Sequence, residues 1–291
     1  MQSPLSAIKK FLIGTFLGIL SLVPGVSGVV FAVFFGVYER IIEDIADIFH
    51  KIRTDFWFLL MIGVGLIFGI VIASFTIKDL VYTLPAMMLF LGMILGQLPQ
   101  LWKYTVPEVK SSKKDIVALV IGALIMCVIL CLFIVYGVPA DATVDHGTVA
   151  IILMIVIGIV YALAHIAPGI SGSTLLLAMG LLTLPMDVIT THDFILLIPF
   201  LVGAVIGLIG FAKIVHHAVT HHRKPTYMMI FGLTVGAFFV VAEIMNIKCI
   251  SGQNIGVADV ALSIATFVVG ILISLLISRM SRGVSEELST R

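Results

Sequence analysis

The sequence predicts an all-α protein that crosses a membrane several times, and three observations support this class. Of the 291 residues, 60% are hydrophobic and only 11% are charged, and the mean hydropathy is +1.22. This composition provides too little polar surface for a soluble domain, and several apolar runs reach the roughly 20 residues that span a bilayer. The third observation is a five-residue motif that occurs twice, each time inside an apolar stretch.

The repeated motif is Pro-Gly-Val-Ser-Gly at 24–28 and Pro-Gly-Ile-Ser-Gly at 168–172. Its proline removes a backbone donor, its glycines permit tight dihedral angles, and its serine is a favoured N-cap, so each copy should interrupt a helix. Irregular backbone is stable at membrane depth only where it is buried in protein or lines a wet cavity. Each interruption is therefore a candidate binding site.

The apolar segments follow the same order in both halves of the chain, a broken helical pair and then three spans. In the first half, 1–140, the pair is predicted at 11–38 and the spans at 57–75, 80–99 and 116–138. In the second half, 141–291, the pair is predicted at 149–185 and the spans at 194–214, 226–244 and 257–278. Each arm of a pair has about 13 residues, or about 20 Å of helix, which is shorter than the hydrocarbon core.

Matching positions in the two halves indicate an internal repeat. The first motif and Gly36 recur 144 residues later as the second motif and Gly180. Further along, Pro85 and Gly92 recur 140 residues later as Pro225 and Gly232. Two sets of anchors with nearly the same offset favour duplication over chance similarity.

The basic residues of the loops predict the topology, because lysine and arginine accumulate on the cytoplasmic side. If each broken pair is a re-entrant hairpin, 15 of the 17 basic residues share a side with both termini, and only Lys78 and Lys248 lie opposite. If each pair crosses the membrane, the split is 9 to 8. We therefore expect re-entrant hairpins and cytoplasmic termini. Three spans per half is an odd number, so the second half should be inverted and the two tips should meet near the midplane.

The tips are predicted to bind an anion, because two helix N-termini with unpaired amides would converge there. No lysine or arginine lies within several residues of either motif, so neutral donors would hold the ligand. The predicted substrate-binding residues at the tips are Pro24, Gly25, Ser27, Gly28, Gly169, Ser171, Gly172, Ser173 and Thr174. A structural alternative is that the motifs only bend helices.

Three ionisable residues outside the motifs complete the predicted site. His165 precedes the second proline by three residues, at a depth where ionisable groups are usually functional, although it is also consistent with a hydrogen-bonded packing residue. Glu39 and Arg40 end the first hairpin, where they are predicted to receive a phosphate or to form an ordinary interfacial pair. No metal or organic cofactor is expected, and coupling to protons or sodium is left open.

At these motifs the sequence resembles the PopT-type polyprenyl-phosphate transporters, which were long catalogued as a domain of unknown function. The resemblance rests on the two motifs, Gly-Val-Tyr-Glu-Arg at 36–40 and His-Ile-Ala-Pro-Gly at 165–169, and covers nearly the whole chain. It implies a cytoplasmic-membrane protein that returns undecaprenyl phosphate from the outer to the inner leaflet by alternating access. Members commonly have Gly-Thr after the first motif, where this chain has Val29 and Val30.

Two further function classes are consistent with the residues. A transporter or channel for a small solute or ion uses the same half-helix architecture without a lipid substrate. A polyprenyl-pyrophosphate phosphatase would need a base and charge neutralisation at the site, and neither an arginine nor a carboxylate lies near the tips. We therefore predict a lipid transporter without enzymatic activity, of undetermined oligomeric state.

Overall fold

The computed structural model describes most of the chain and contains helices as its regular elements. The described residues are 4–24, 26, 31–32, 35–37, 40–41, 44, 54–105, 112–136, 146–166, 172–179, 181–251 and 255–289. The helices with defined bounds in these ranges are α1 (Pro4–Ser21), α2 (Phe56–Ile77), α3 (Leu84–Thr105), α4 (Lys113–Tyr136), α5 (Thr148–Ile166), α6 (Gly172–Ala178), α7 (Thr183–Thr190), α8 (Phe194–His221), α9 (Arg223–Met245) and α10 (Val257–Ser289). A π-helical turn, Asn246–Ile250, continues α9. The predicted all-α class is confirmed.

Each predicted span coincides with one helix, in the order α2, α3, α4, α8, α9 and α10. Within the described residues, four of these helices are long and apolar enough to cross a membrane, and a bent pair, α6 with α7, raises the number to five if it forms one span. Large apolar side chains are exposed along α2, α4, α8 and α10. Such surfaces are stable only against lipid, so the chain is a multi-pass membrane protein.

The helices of the broken pairs differ in length from the prediction. The first arms, α1 and α5, have 18 and 19 residues, or about 27 to 29 Å of helix, instead of about 13 residues. The second arm after the 168–172 motif is shorter, because α6 ends after 7 residues. The chain then bends by 101° into α7. The prediction that every arm has about the same length was therefore wrong.

The second arm of the first half ends at a glycine cap, and the second arm of the second half ends with the equivalent hydrogen bond. In the first half, Gly36 has a φ of +66°, and the Val37 amide donates to the Ala32 carbonyl at 3.0 Å. This six-to-one hydrogen bond around a left-handed glycine is the Schellman arrangement that ends helices. The Leu181 amide makes the equivalent bond to the Leu176 carbonyl at 2.8 Å, 144 residues later.

The first arm of each pair packs along the span that follows it. Glycines allow the two backbones to approach closely, as is common between membrane helices. A Cβ atom at these glycines would collide with a carbonyl oxygen of the other helix: Gly65 with Phe11 and Gly69 with Thr15 between α1 and α2, and Gly203 with Ile155 and Gly207 with Ile159 between α5 and α8. Residue numbers rise together in both helices, so each pair runs parallel.

The remaining spans pair across the two halves of the chain. Helix α3 packs along α10, and α4 packs along α9. The glycine contacts again run parallel: Gly92 with Phe267 and Gly96 with Ile271 in the first pair, and Gly232 with Leu119 and Gly236 with Ala123 in the second. Helices α3 and α9 also pack against each other and join the two pairs.

The main hydrophobic core lies where these helix pairs surround α6. Leu176, Leu177 and Ala178 of α6 are fully buried, as are Met154 of α5 and Met126 of α4. The same core includes Leu22 and Val26, which follow α1. The described residues at and next to the two motifs are therefore at the centre of the packed molecule.

Candidate functional site

The two helix interruptions contact each other through side-chain hydroxyls. The Ser173 hydroxyl, in the first turn of α6, donates to the Val23 carbonyl at 3.0 Å. The Tyr161 hydroxyl of α5 donates to the Ser21 Oγ at 2.9 Å, and Ser21 in turn donates to the Gly18 carbonyl at 2.7 Å. We call these residues, Gly18, Ser21, Val23, Tyr161 and Ser173, the junction.

The junction is buried. Ser173 has no exposed surface, Ser21 is 5% exposed, and Pro24 beside it is also buried. Gly172 and Thr174, which flank Ser173, are buried as well. Buried hydroxyls are stable only when they are hydrogen-bonded, and these bonds join positions 140 and 150 residues apart. They hold the end of α1 against α5 and against the start of α6.

The structure locates part of the predicted site at the junction. Pro24, Gly172, Ser173 and Thr174 lie there. His165 is in the last turn of α5 by its backbone, and its side chain is outside the description. The other predicted tip residues, Gly25, Ser27, Gly28, Gly169 and Ser171, lie outside the described residues, as do Glu39, Val29 and Val30.

Arg40 is not at the junction. Its guanidinium forms an ion pair with Asp55 and stacks over the Phe58 ring, 4.1 Å from the ring centroid. Phe58 lies about 16 Å along α2 from Gly69. Gly69 packs against Ile19, which is near the junction end of α1. Arg40 thus ties the end of the first hairpin to the start of α2, and its predicted contact with a phosphate stays a prediction.

Two hydroxyl side chains of the junction, Ser21 and Tyr161, were not among the predicted site residues, although the sequence contained a signal for each. Ser21 precedes the first proline by three residues and so occupies the position that His165 holds in the second half. Tyr161 lies four residues before His165, on the same face of α5. A comparison of the two copies position by position would have identified Ser21, and helical spacing from His165 would have indicated Tyr161.

Polar contacts at each end of the molecule join neighbouring helices. At one end, the Lys78 ammonium pairs with Asp187 at 2.6 Å, and His146 contacts Asp193 at 2.9 Å. Burial raises the pKa of Tyr82 at this end, and the tyrosine hydrogen-bonds to Thr183.

At the other end, Lys224 at the start of α9 lies 3.5 Å from Asp115 at the start of α4. Both side chains are largely buried, so this pair joins the two helices at their first turns. Every pair at the two ends joins residues that the loop charges assign to the same side of the membrane.

The junction provides neutral hydrogen-bonding groups. The side chains identified there contribute hydroxyls, and no group of three or more metal-ligating side chains occurs among the described residues. Hydroxyls and backbone amides can bind the oxygens of an anion such as a phosphate without a permanent ion pair. An arrangement of this type suits a ligand that is bound and then released.

Comparison with known proteins gives a consistent result along almost the whole chain. The model of the VCA0040-like family, described as undecaprenyl phosphate translocase-like, matches residues 17–257. A polyprenyl-phosphate transporter of Staphylococcus aureus is 27% identical over 286 residues, which cover 95% of this chain and 96% of the relative. One from Vibrio cholerae is 27% identical over 248 residues, covering 79% and 75%. No solved structure matches the chain. Because the family model covers far more than half of its residues, this chain belongs to the undecaprenyl phosphate translocase-like family.

Proposed function

We propose that this protein translocates polyprenyl phosphate across the cytoplasmic membrane. The observation that carries the proposal is the hydrogen bond from Ser173 to the Val23 carbonyl, which joins the two helix interruptions in the core of a translocase-like family member. The two relatives named as polyprenyl-phosphate transporters supply the substrate class. Their names also favour a transporter over a phosphatase.

The architecture in this proposal is a pair of inverted repeats, 1–140 and 141–291, each a re-entrant hairpin followed by three spans. Parallel packing of α1 with α2 supports re-entrant hairpins, because a crossing pair would make the next span run antiparallel to the first arm. The equivalent packing of α5 with α8 supports the same arrangement in the second half. Helix α3 of the first half packs along α10 of the second half, and α4 of the first half packs along α9 of the second half. This reciprocal packing supports a pseudo-two-fold axis between the halves.

In the proposed mechanism, the phosphate binds where the tips meet. Ser27 and Gly28 contribute from the first motif, and Ser171 and Gly172 contribute from the second, with Thr174 beside them. His165 supplies a further donor at the same depth. The site opens to each leaflet in turn as one repeat rocks against the other, and the lipid moves from the outer to the inner leaflet. The loop charges orient both termini to the cytoplasm.

The proposal is tested by a leaflet assay with the purified full-length protein in proteoliposomes and labelled undecaprenyl phosphate. Ser171→Ala is expected to weaken binding about ten- to a hundredfold, because a hydrogen bond to a charged group contributes about 1.5 to 3 kcal/mol. Ser27→Ala should have a similar or smaller effect. The double variant should depart from additivity, since both residues would bind one ligand.

Ser263→Ala is the matched control, because Ser263 is a buried serine of α10 whose hydroxyl has no hydrogen-bond partner in the structure. Wild-type transport in Ser171→Ala, Ser27→Ala and the double variant would contradict the phosphate site. Failure of the wild-type protein to move the lipid, with transport of inorganic phosphate instead, would favour a small-anion transporter. Release of phosphate from polyprenyl pyrophosphate would favour the phosphatase.

A further inference from the structure

A lateral groove lies between α3, α9 and α10, away from the junction. Its volume is about 420 Å³, and its lining includes Leu95, Leu98, Trp102, Phe231, Ile271 and Leu275. The lining is almost entirely apolar, and the Trp102 and Phe231 rings form one wall with their centroids 5.3 Å apart. Trp102 is 47% exposed and Leu95 is 36% exposed, so the groove opens to the outer surface of the helix bundle, where lipid lies.

Two basic residues continue the walls of this groove toward one end of the molecule. On α3, Lys103 follows Pro99 of the groove by four residues and so lies on the same helix face. On α10, Arg279 follows Leu275 by four residues. Helices α3 and α10 run parallel, with Gly96 against Ile271, so Lys103 and Arg279 leave the groove at the same end. Both side chains are exposed.

We propose that this groove binds the first isoprene units of a polyprenyl phosphate, with the phosphate at Lys103 and Arg279. This inference rests on the proposed function and adds a second lipid site to it. The apolar walls remove the hydrocarbon chain from contact with polar groups, and the two cations lie at the depth of a lipid headgroup. The loop charges place this end in the cytoplasm, so the groove is where the lipid leaves the protein after translocation.

The two halves of the chain differ at this position, which supports a role on one side of the membrane only. Under the proposed repeat, with its offset of 140 residues, Leu98 and Pro99 correspond to Phe238 and Phe239, and Trp102 corresponds to Ala242. Two phenylalanine rings, 5.7 Å apart, thus stand where the groove has a leucine and a proline. A groove required only for packing would be expected in both halves, whereas an exit site is required at one.

The first test uses the full-length protein in proteoliposomes with a photoreactive polyprenyl phosphate that carries a diazirine on its first isoprene units. Labelled peptides should map to α3 and α10 around Trp102 and Leu275. Leu275→Trp fills the groove and should reduce this labelling about tenfold, the loss expected when several apolar groups lose their burial. Leu272→Trp is the matched control, because Leu272 is one turn away on α10 and 53% exposed. It should label like the wild type.

The second test removes the charges at the end of the groove. The double variant Lys103→Gln with Arg279→Gln should also reduce groove labelling about tenfold, because each basic residue at the membrane surface contributes a few-fold in affinity for anionic lipid. Lys113→Gln with Lys114→Gln is the control, since these exposed lysines lie at the start of α4 on the same side. Equal loss of groove labelling in both double variants would mean that surface charge alone causes the loss, and this result would overturn the site.

A diazirine phosphatidylglycerol identifies the alternative occupant. If it labels the groove as strongly as the polyprenyl probe, and unlabelled polyprenyl phosphate does not compete, the groove binds bulk phospholipid and the proposal is wrong. Failure of this inference differs from failure of the proposed function. In the first case wild-type protein and Leu275→Trp move polyprenyl phosphate equally, whereas in the second the wild-type protein does not move it.

Discussion

Ser173 illustrates how a single hydroxyl determines the centre of this molecule. It lies in the first turn of α6, is fully buried, and donates to a carbonyl 150 positions earlier in the chain. The sequence predicted Ser173 as a direct ligand of the anion. Its observed hydrogen bond adds a structural contribution, because the hydroxyl donates to the Val23 carbonyl and holds the two interruptions together, while contact with the anion stays a prediction.

Ser173→Ala is therefore expected to reduce the free energy of unfolding by about 0.5 to 1.5 kcal/mol, because it removes one hydrogen bond between the two interruptions while the Val23 carbonyl keeps its bond from the Val26 amide. Thermal or denaturant unfolding in detergent measures the change. Ser263→Ala removes a hydroxyl that is equally buried but makes no hydrogen bond in the structure, so it should be neutral or slightly stabilising. Equal destabilisation by both substitutions would contradict the role of the Val23 contact.

His165 supports a prediction of pH dependence at the same scale. A protonated imidazole would add positive charge beside a bound phosphate, so polyprenyl-phosphate affinity should fall as rising pH deprotonates His165. His165→Gln should flatten this response. His146→Gln should preserve it, because His146 is exposed and contacts Asp193 at one end of the molecule. An unchanged profile in His165→Gln would assign His165 to packing.

At the scale of elements, the same hydrogen bond marks the end of the second arm in both halves. A proline and two glycines occur in each motif, and the glycines at 36 and 180 recur at the same offset as the motifs. At Gly36, which has a φ of +66°, the bond from Val37 to Ala32 ends the arm in a Schellman arrangement. The equivalent bond from Leu181 to Leu176 closes the end of α6, after which the chain turns by 101°.

Gly36→Ala is expected to destabilise the fold by about 1 to 2 kcal/mol, the cost of placing a residue with a Cβ atom in the left-handed region. The Cβ atom itself would meet no neighbour, so the effect reports backbone strain alone. Gly63→Ala is the matched control, because Gly63 is also open to added atoms but lies inside α2. It should be neutral or stabilising by up to about 1 kcal/mol, and unfolding experiments on both variants distinguish the two effects.

At the scale of the whole molecule, orientation in the membrane follows from the loops, and the contacts at the two ends agree with it. Lys78 pairs with Asp187 and Lys224 pairs with Asp115, and each pair joins loops on one predicted side. The parallel helix pairs support the same topology independently of charge. Charge bias and helix register are separate physical effects, so their agreement strengthens the re-entrant proposal.

Cysteine accessibility tests this topology in intact cells, in a background without Cys127, Cys131 and Cys249. Cysteine at Ala142 or Thr191 should react with an impermeant maleimide from outside, and cysteine at Ser112 should react only after permeabilisation. Thr191 and Ser112 are exposed, so accessibility to the reagent depends on the side of the membrane. Opposite accessibility of Ala142 and Thr191 would make the second hairpin a crossing segment and refute the inversion.

The amino-acid sequence by itself determined the all-α membrane class, the approximate positions of the long helices and the ends of α1 and α5 before the two motifs. These properties depend on local composition: apolar runs partition into lipid, and proline and glycine interrupt a helix wherever they occur. The match of every predicted span to a helix reflects this local control.

The tertiary structure alone decided which helices became partners and which side chains met. The Ser173 contact with Val23, the Tyr161 contact with Ser21 and the groove beside Trp102 all join residues that are distant in sequence. The placement of Arg40 against Asp55 and Phe58 was decided in the same way. Such contacts depend on shape complementarity between helix surfaces, where one glycine fits one backbone, and local composition carries little information about the partner surface.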